Sequence, residues 1–213
     1  MRHSGAADSP HSSRAIWYNR PMDCGREEWA LVEVLRADEE FMRILHAVAD
    51  VNPPHWALGA GVVRDIVWDH LHGYEAPTRH RDVDVAFFDP TDLSPEHDRG
   101  VTSELARRHP DIVWDAKNQA AVHTWYEARF GTAVDPLTSV EDAVGTWPET
   151  ATAVAVRLRS YDELQVIAPC GLSDLFAMLL RRNPRRASLE LFRRRVADKR
   201  ITERWPHVHV IDG

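Results

Sequence analysis

Between Glu27 and Val48 the apolar side chains Leu31, Val34, Leu35, Phe41, Ile44, Leu45 and Val48 recur at helical spacing, predicting one long helix or two short ones. Asn52-Pro53-Pro54 stops that run, because the residue before a proline is pushed out of helical conformation. Trp56-Ala57-Leu58 then reads as a short buried strand that ends in Gly59-Ala60-Gly61. Val63, Ile66, Val67 and Leu71 restore helical spacing at once, so a helix follows the turn directly and closes at Gly73. From Asp82 to Phe88 the run is strand-like, and Asp89-Pro90 ends it.

Further on, Ser94-Pro95-Glu96 supplies an N-cap, a first-turn proline and a first-turn acid for a helix reaching about Arg108. Ile112 to Trp114 predicts a third strand ending at Asp115, and Gln119 to Phe130 a helix carrying Val122, Tyr126 and Phe130. The pairs Thr138/Glu141 and Ser139/Asp142 have capping-box spacing for a short helix. Thr150 to Leu158 and Leu164 to Ala168 predict a hairpin around Tyr161-Asp162-Glu163, and two helices finish the chain. Residues 1–25, rich in Ser, His, Arg and Pro without periodicity, read as a mobile tail. The expected fold class is α/β (α+β): a small mixed β-sheet flanked by helices, with a core over 26–135 and a C-terminal hairpin-and-helix part over 136–213 packed on it as one unit.

Composition narrows the class without changing this outline. With 213 residues, 44% hydrophobic and 28% charged, the chain can bury a core and is too apolar for general disorder. Cys24 and Cys170 have neither disulfide-framework nor zinc-site spacing. No apolar run has membrane-spanning length and no signal-peptide stretch opens the chain, so a cytoplasmic location is expected. The net charge is −7, but Arg181 to Arg200 holds nine basic and two acidic side chains, +7, leaving −14 elsewhere. Such a window permits an RNA contact; a solvated helix face is the favoured reading, since Arg193, Arg194 and Arg195 fan out by about 100° each.

Chemistry enters with "RDVDVAFFD", Arg81 to Asp89. Side chains two apart on a strand share a face, so Asp82 and Asp84 stand roughly 6 to 7 Å apart while Val83 and Val85 face the core. Their repulsion asks for a cation, and hard carboxylate oxygens suit Mg²⁺, which takes one or two carboxylates plus phosphate oxygens. Upstream, the glycines between strand and helix let backbone approach a phosphate, and a helix N-terminus offers unpaired N–H groups to hold it. Arg64, in the first turn, is a candidate bidentate phosphate ligand; a salt bridge with Asp65 or a surface acid is its alternative use.

"GAGVVRD" followed by "DVDVAFFD" resembles the DNA polymerase β-like nucleotidyltransferase superfamily, especially the head of the tRNA nucleotidyltransferases, over about Trp56 to Asp89. From about Trp29 to Ile211 the chain is also similar to an uncharacterised bacterial group called nucleotidyltransferase-like, through "WDAKNQAAVHTWYE", "VEDAVGTWPETATAVAVRL" and "GLSDLF". The resemblance implies a metal-dependent transferase that moves a nucleoside monophosphate from NTP to an acceptor and releases pyrophosphate. Asp82 and Asp84 would bind Mg²⁺ or Mn²⁺, and Asp115 would be the third carboxylate, a metal ligand or the group that takes the acceptor's proton. Gly59, Ala60 and Gly61 would receive the phosphates, although Ala60 stands where the superfamily has Gly or Ser. Lys117, Asn118 and Gln119, and beyond them His123, Trp125 and Tyr126, are candidates to reach nucleotide or acceptor. A small hydroxylated acceptor is preferred to tRNA because the chain is acidic.

Two rival readings, and an alternative base within the main one, follow from the same residues. Gly59-Ala60-Gly61 starts the G-x-G of a Rossmann dinucleotide binder, but Arg64 occupies the place of its last glycine. A non-catalytic nucleotide- or RNA-binding protein would keep the fold and use the Arg181 to Arg200 window. Glu149 is the alternative general base. The pairs His70/His72 and His207/His209 read as structural or exposed rather than as metal sites.

Overall fold

The computed structural model describes residues 24–76, 78, 82–159 and 162–212. The tail expectation falls, except for Cys24 and Gly25, outside the described residues, and those two begin a helix. The apolar period over Glu27 to Val48 is divided into α1 (Cys24–Arg36) and α2 (Glu39–Val51). Asp38 causes the division: its side chain accepts from Phe41 N at 2.8 Å and caps α2.

A five-stranded sheet runs in the order β3-β2-β1-β4-β5, with β1 (Ala57–Gly59), β2 (Val83–Phe87), β3 (Trp114–Asn118), β4 (Ala155–Leu158) and β5 (Leu164–Ile167). Only β2 and β3 are parallel; the remaining neighbours are antiparallel, so the sheet is mixed as expected. Helices α3 (Gly61–His72) and α4 (Pro95–Arg108) cross between strands, and α5 (Val122–Phe130) and α6 (Val140–Val144) follow β3. The C-terminal part adds α7 (Ser173–Phe176), β6 (Leu179–Arg181), α8 (Leu189–Lys199), α9 (Ile201–Arg204) and β7 (His209–Ile211).

Alternation along the strands divides the packing between two faces. Leu58, Val83, Val85, Phe87, Trp114, Ala116 and Val156 join the main core with α1, α2 and α3, whereas Ala57, Ala86, Phe88 and Ala155 face a smaller cluster with Val122, Val140 and Val144. Asp84 and Asp115 belong by alternation to this second face, Asp84 exposed and Asp115 half-buried.

Three sequence expectations are corrected. The third strand runs from Trp114 to Asn118 instead of ending at Asp115: Val113 O accepts the first bond from β2, at Val83 N, and the paired register then continues from Val83/Trp114 to Phe87/Asn118. The first half of the expected hairpin strand is a 3₁₀ turn, Thr150–Thr152, in which the N–H groups of Thr152 and Ala153 donate to Glu149 O, both at 3.0 Å, instead of to a neighbouring strand. The end of the chain is not helical throughout, since β6 and β7 form a separate parallel pair.

Candidate active site

The glycine turn has two parts with different physical roles. A Cβ on Gly59 would lie 2.4 Å from Val154 O and 2.5 Å from the Ala155 Cβ, so this glycine is required by the approach of β4 to β1. A Cβ on Gly61 would meet only Arg64 Nη2, at 3.9 Å, and the space over the first turn of α3 is otherwise open. Between them Ala60 adopts φ 59 and ψ −124, a conformation that favours glycine, and its N–H donates to Val154 O at 2.9 Å. No side chain caps α3, and its first turn contains no acid, so amide donors remain for an external anion.

The carboxylates lie beside this turn. Leu58 is paired with Val85, which brings the residue after it, Gly59, level with Asp84. Asp84 is the exposed residue in an otherwise buried strand, and it is in register with Asp115 on β3. Desolvation by the surrounding protein, then the charges of Asp82 and Asp115, push the Asp84 carboxyl above the ordinary aspartate range, while Lys199 and Arg195 pull it down. Asp115 forms an exposed ion pair with Lys117 at 2.9 Å, consistent with their positions two apart on β3. Carboxylates of this kind on one face are suitable ligands for a hard divalent cation. Among the described residues, no three His, Cys, Asp or Glu side chains are already close enough together to hold one.

Arg64 borders the space beside Gly61 but is held by its neighbours. It is 3% exposed, its Nε donates to Asp65 Oδ1 at 2.8 Å, and its guanidinium lies over Trp68 and Trp205 at 5.2 and 5.4 Å. The Asp65 salt bridge, the alternative open in the sequence, is thus the one formed. Asn118 is also committed to structure: it accepts from Asp89 N and Ala120 N and donates to the carbonyls of Asp89 and Asp92, fastening the ends of β2 and β3 to the following loops. Gln119 donates to Lys117 O, and Tyr126 packs in the smaller cluster. The two histidine pairs are split: His72 stacks on His207 at 4.6 Å and accepts from His207 N, a structural contact.

Sequence reasoning missed the site's cations. Arg195 Nε donates to Glu149 Oε1 at 2.8 Å, and Glu149, 2% exposed, also accepts from the Thr152 hydroxyl at 2.7 Å. Burial pushes the Glu149 carboxyl up, but Arg195, Thr152 and Arg64 outweigh it and leave the pKa below the usual range. Held ionised by an arginine, Glu149 positions Arg195 and is poorly suited to act as the general base. Lys199 follows Arg195 by four residues and shares its face of α8. That i, i+4 relation was the available signal within the basic window. Much of the rest of the window is paired internally: Arg181 with Asp174, Arg185 with Asp142 and Arg193 with Asp212.

The antiparallel pairing of β1 with β2 excludes a Rossmann βαβ unit, which requires parallel strands. A family model described as Nucleotidyltransferase matches residues 46–210. The chain belongs to this nucleotidyltransferase family. In solved structures, the nucleotidyltransferase is similar to a protein whose NMR structure reveals a CCA-adding enzyme head domain, with 28% identity, TM-score 0.73, and coverage of 87% of this chain and 96% of that one. It is also similar to a CCA-adding enzyme in complex with CTP, with 15% identity, TM-score 0.50 and coverage of 89% of this chain, although it spans only 43% of that one. No curated protein matches it. Membership in an enzyme family favours the catalytic reading over the non-catalytic alternative. No helix among the described residues is long and apolar enough to cross a membrane.

Proposed function

We propose that this nucleotidyltransferase moves a nucleoside monophosphate from NTP to an acceptor hydroxyl, releasing pyrophosphate, at the open end of the sheet. The observation that carries the reading is the position of Asp84, in register with Asp115 and beside the uncapped start of α3. Asp82, Asp84 and Asp115 are the residues that would hold Mg²⁺ or Mn²⁺, whose charge would offset that developing on the triphosphate. Backbone amides at Gly61 and Val62 bind phosphate oxygens in the space that Gly61 leaves open. Asp115 either completes the metal site or takes the acceptor's proton, a reading supported by its register with Asp84; its ion pair with Lys117 would orient it. Arg64 Nη2 borders the space beside Gly61 and is already given to Asp65, which makes Arg64 a weaker phosphate ligand than the backbone amides.

For the acceptor we favour a small hydroxylated molecule, on the acidity of the chain and the internal pairing of much of its basic window. A second reading, the 3′ hydroxyl of an RNA, is favoured by the likeness to a CCA-adding enzyme head domain. Each labelled NTP, incubated with Mg²⁺ or Mn²⁺ and cell extract, should release pyrophosphate with the wild type and not with the Asp82→Asn/Asp84→Asn variant. Equal release from both would reject the catalytic assignment. Prior ribonuclease treatment of the extract separates the acceptors: loss of labelled product would select the RNA reading.

A further inference from the structure

Asp65, Trp68, Asp69 and His72 recur at i, i+3, i+4 and i+7, so they share one stripe of α3. Residues 204–207 lie against that stripe. Arg204 is 3.9 Å from Asp65, the Trp205 ring meets Trp68 edge-on at 5.4 Å, Trp205 Nε1 donates to Asp69 Oδ1 at 2.7 Å, and His207 N donates to His72 Nε2 at 3.2 Å. Just past α3, the Tyr74 hydroxyl donates to Arg204 O at 2.7 Å. Asp69 has a second task within this stripe. It is 6% exposed, and its carboxylate also accepts from Thr78, from the backbone N–H at 2.6 Å and from the hydroxyl at 3.0 Å.

We infer that Asp69 is a positioning residue for Asp82: it ties the segment leading into β2 to α3 and to residues 204–207, and so sets where the first of the paired carboxylates stands. The inference rests on the reading of Asp82 and Asp84 as metal ligands. Asp84 sits within β2, where its register with Asp115 fixes it. Asp82 lies one residue ahead of the strand, and the ladder with β3 begins only at Val83, whose N–H donates to Val113 O at 2.8 Å. Its place is therefore governed by the chain before it, and Thr78, four residues earlier, is where that chain is fastened to α3. A carboxylate suits this task because its two oxygens accept all three donors. An amide has one acceptor oxygen, so it would turn an N–H toward either Thr78 N or Trp205 Nε1 and lose one of the two ties.

The test is calorimetric titration of Mn²⁺ into the full chain, with thermal unfolding of each variant, and it requires no turnover. Asp69→Asn should weaken Mn²⁺ binding by about tenfold at temperatures where the variant is folded, the scale of losing support around a metal ligand. Thr78→Ser keeps both donors and should match wild type, whereas Thr78→Val should lose part of the affinity. Tyr74→Phe removes a contact to residues 204–207 that does not involve Thr78, so it should lower the Tm and leave Mn²⁺ binding unchanged. Binding within twofold of wild type in folded Asp69→Asn, or an equal loss in Tyr74→Phe, overturns the inference. The Asp82→Asn/Asp84→Asn variant separates the two levels: if it binds Mn²⁺ as tightly as wild type, the metal reading fails and takes the inference with it. If that variant loses binding while Asp69→Asn does not, the inference alone is defeated.

Discussion

Asp84 and Asp115 stand opposite one another on parallel strands, and both project from the sheet face turned away from the main core. Two carboxylates facing each other across a strand pair are destabilising without a cation between them. Neutralising Asp84 should therefore separate stability from activity. Asp84→Asn is expected to keep or slightly raise the Tm while lowering pyrophosphate release by at least about 10²-fold, because it removes charge stabilisation needed in the transition state. Thermal unfolding and the release assay on the same protein check both halves.

Gly59 and Gly61 should respond in opposite ways to the same added methyl group. Gly59→Ala forces a Cβ to within 2.4 Å of Val154 O, and a cost of about 3 kcal/mol or failure to fold is expected. Gly61→Ala has room and replaces glycine at the start of a helix, so stability should hold while KM for NTP rises. Denaturant unfolding and NTP titration distinguish the two.

Ala60 carries strain that glycine would not. With φ at 59 and ψ at −124, Ala60→Gly should stabilise the protein by about 1 kcal/mol, provided the N–H contact to Val154 O is kept. A midpoint shift to higher denaturant with unchanged m-value is the expected readout.

The Glu149–Arg195 pair should confer a pH dependence on stability. The folded carboxyl of Glu149 lies below its ordinary value of 4.5, so the unfolded chain binds this proton more readily. The pair's contribution is complete above that ordinary value and is lost as pH falls toward the lowered one. Glu149→Gln should flatten that acid limb relative to wild type, and Glu149→Ala should cost about 3 kcal/mol near neutral pH by leaving Arg195 unpaired. Unfolding free energies measured from pH 3 to 7 (a range set by roughly the glutamate titration) provide the comparison.

The legible parts of the site were those encoded by neighbours in sequence. Asp84 was readable as the polar side chain of an apolar strand, whereas Asp82, expected to begin that strand, lies just before it; the turn was readable because strand, glycines and helix are contiguous. The use of Arg64 was not, since its choice between phosphate and Asp65 depends on Trp68 and Trp205, the latter brought in from the far end of the chain. Nor was Asn118, whose carbonyl partners Asp89 and Asp92 lie in another loop.

By itself, the sequence determined the periods of the main helices and strands, the glycine turn between β1 and α3, and the residues that cap α4 and α6, all set by interactions within a few residues. Tertiary structure alone decided that β1 and β2 run antiparallel, that Asp115 is level with Asp84, and that α8 directs Arg195 toward Glu149. Those outcomes follow from which apolar faces bury against which, and from ion pairs between distant residues, 46 positions apart for Arg195 and Glu149, information that no local period contains.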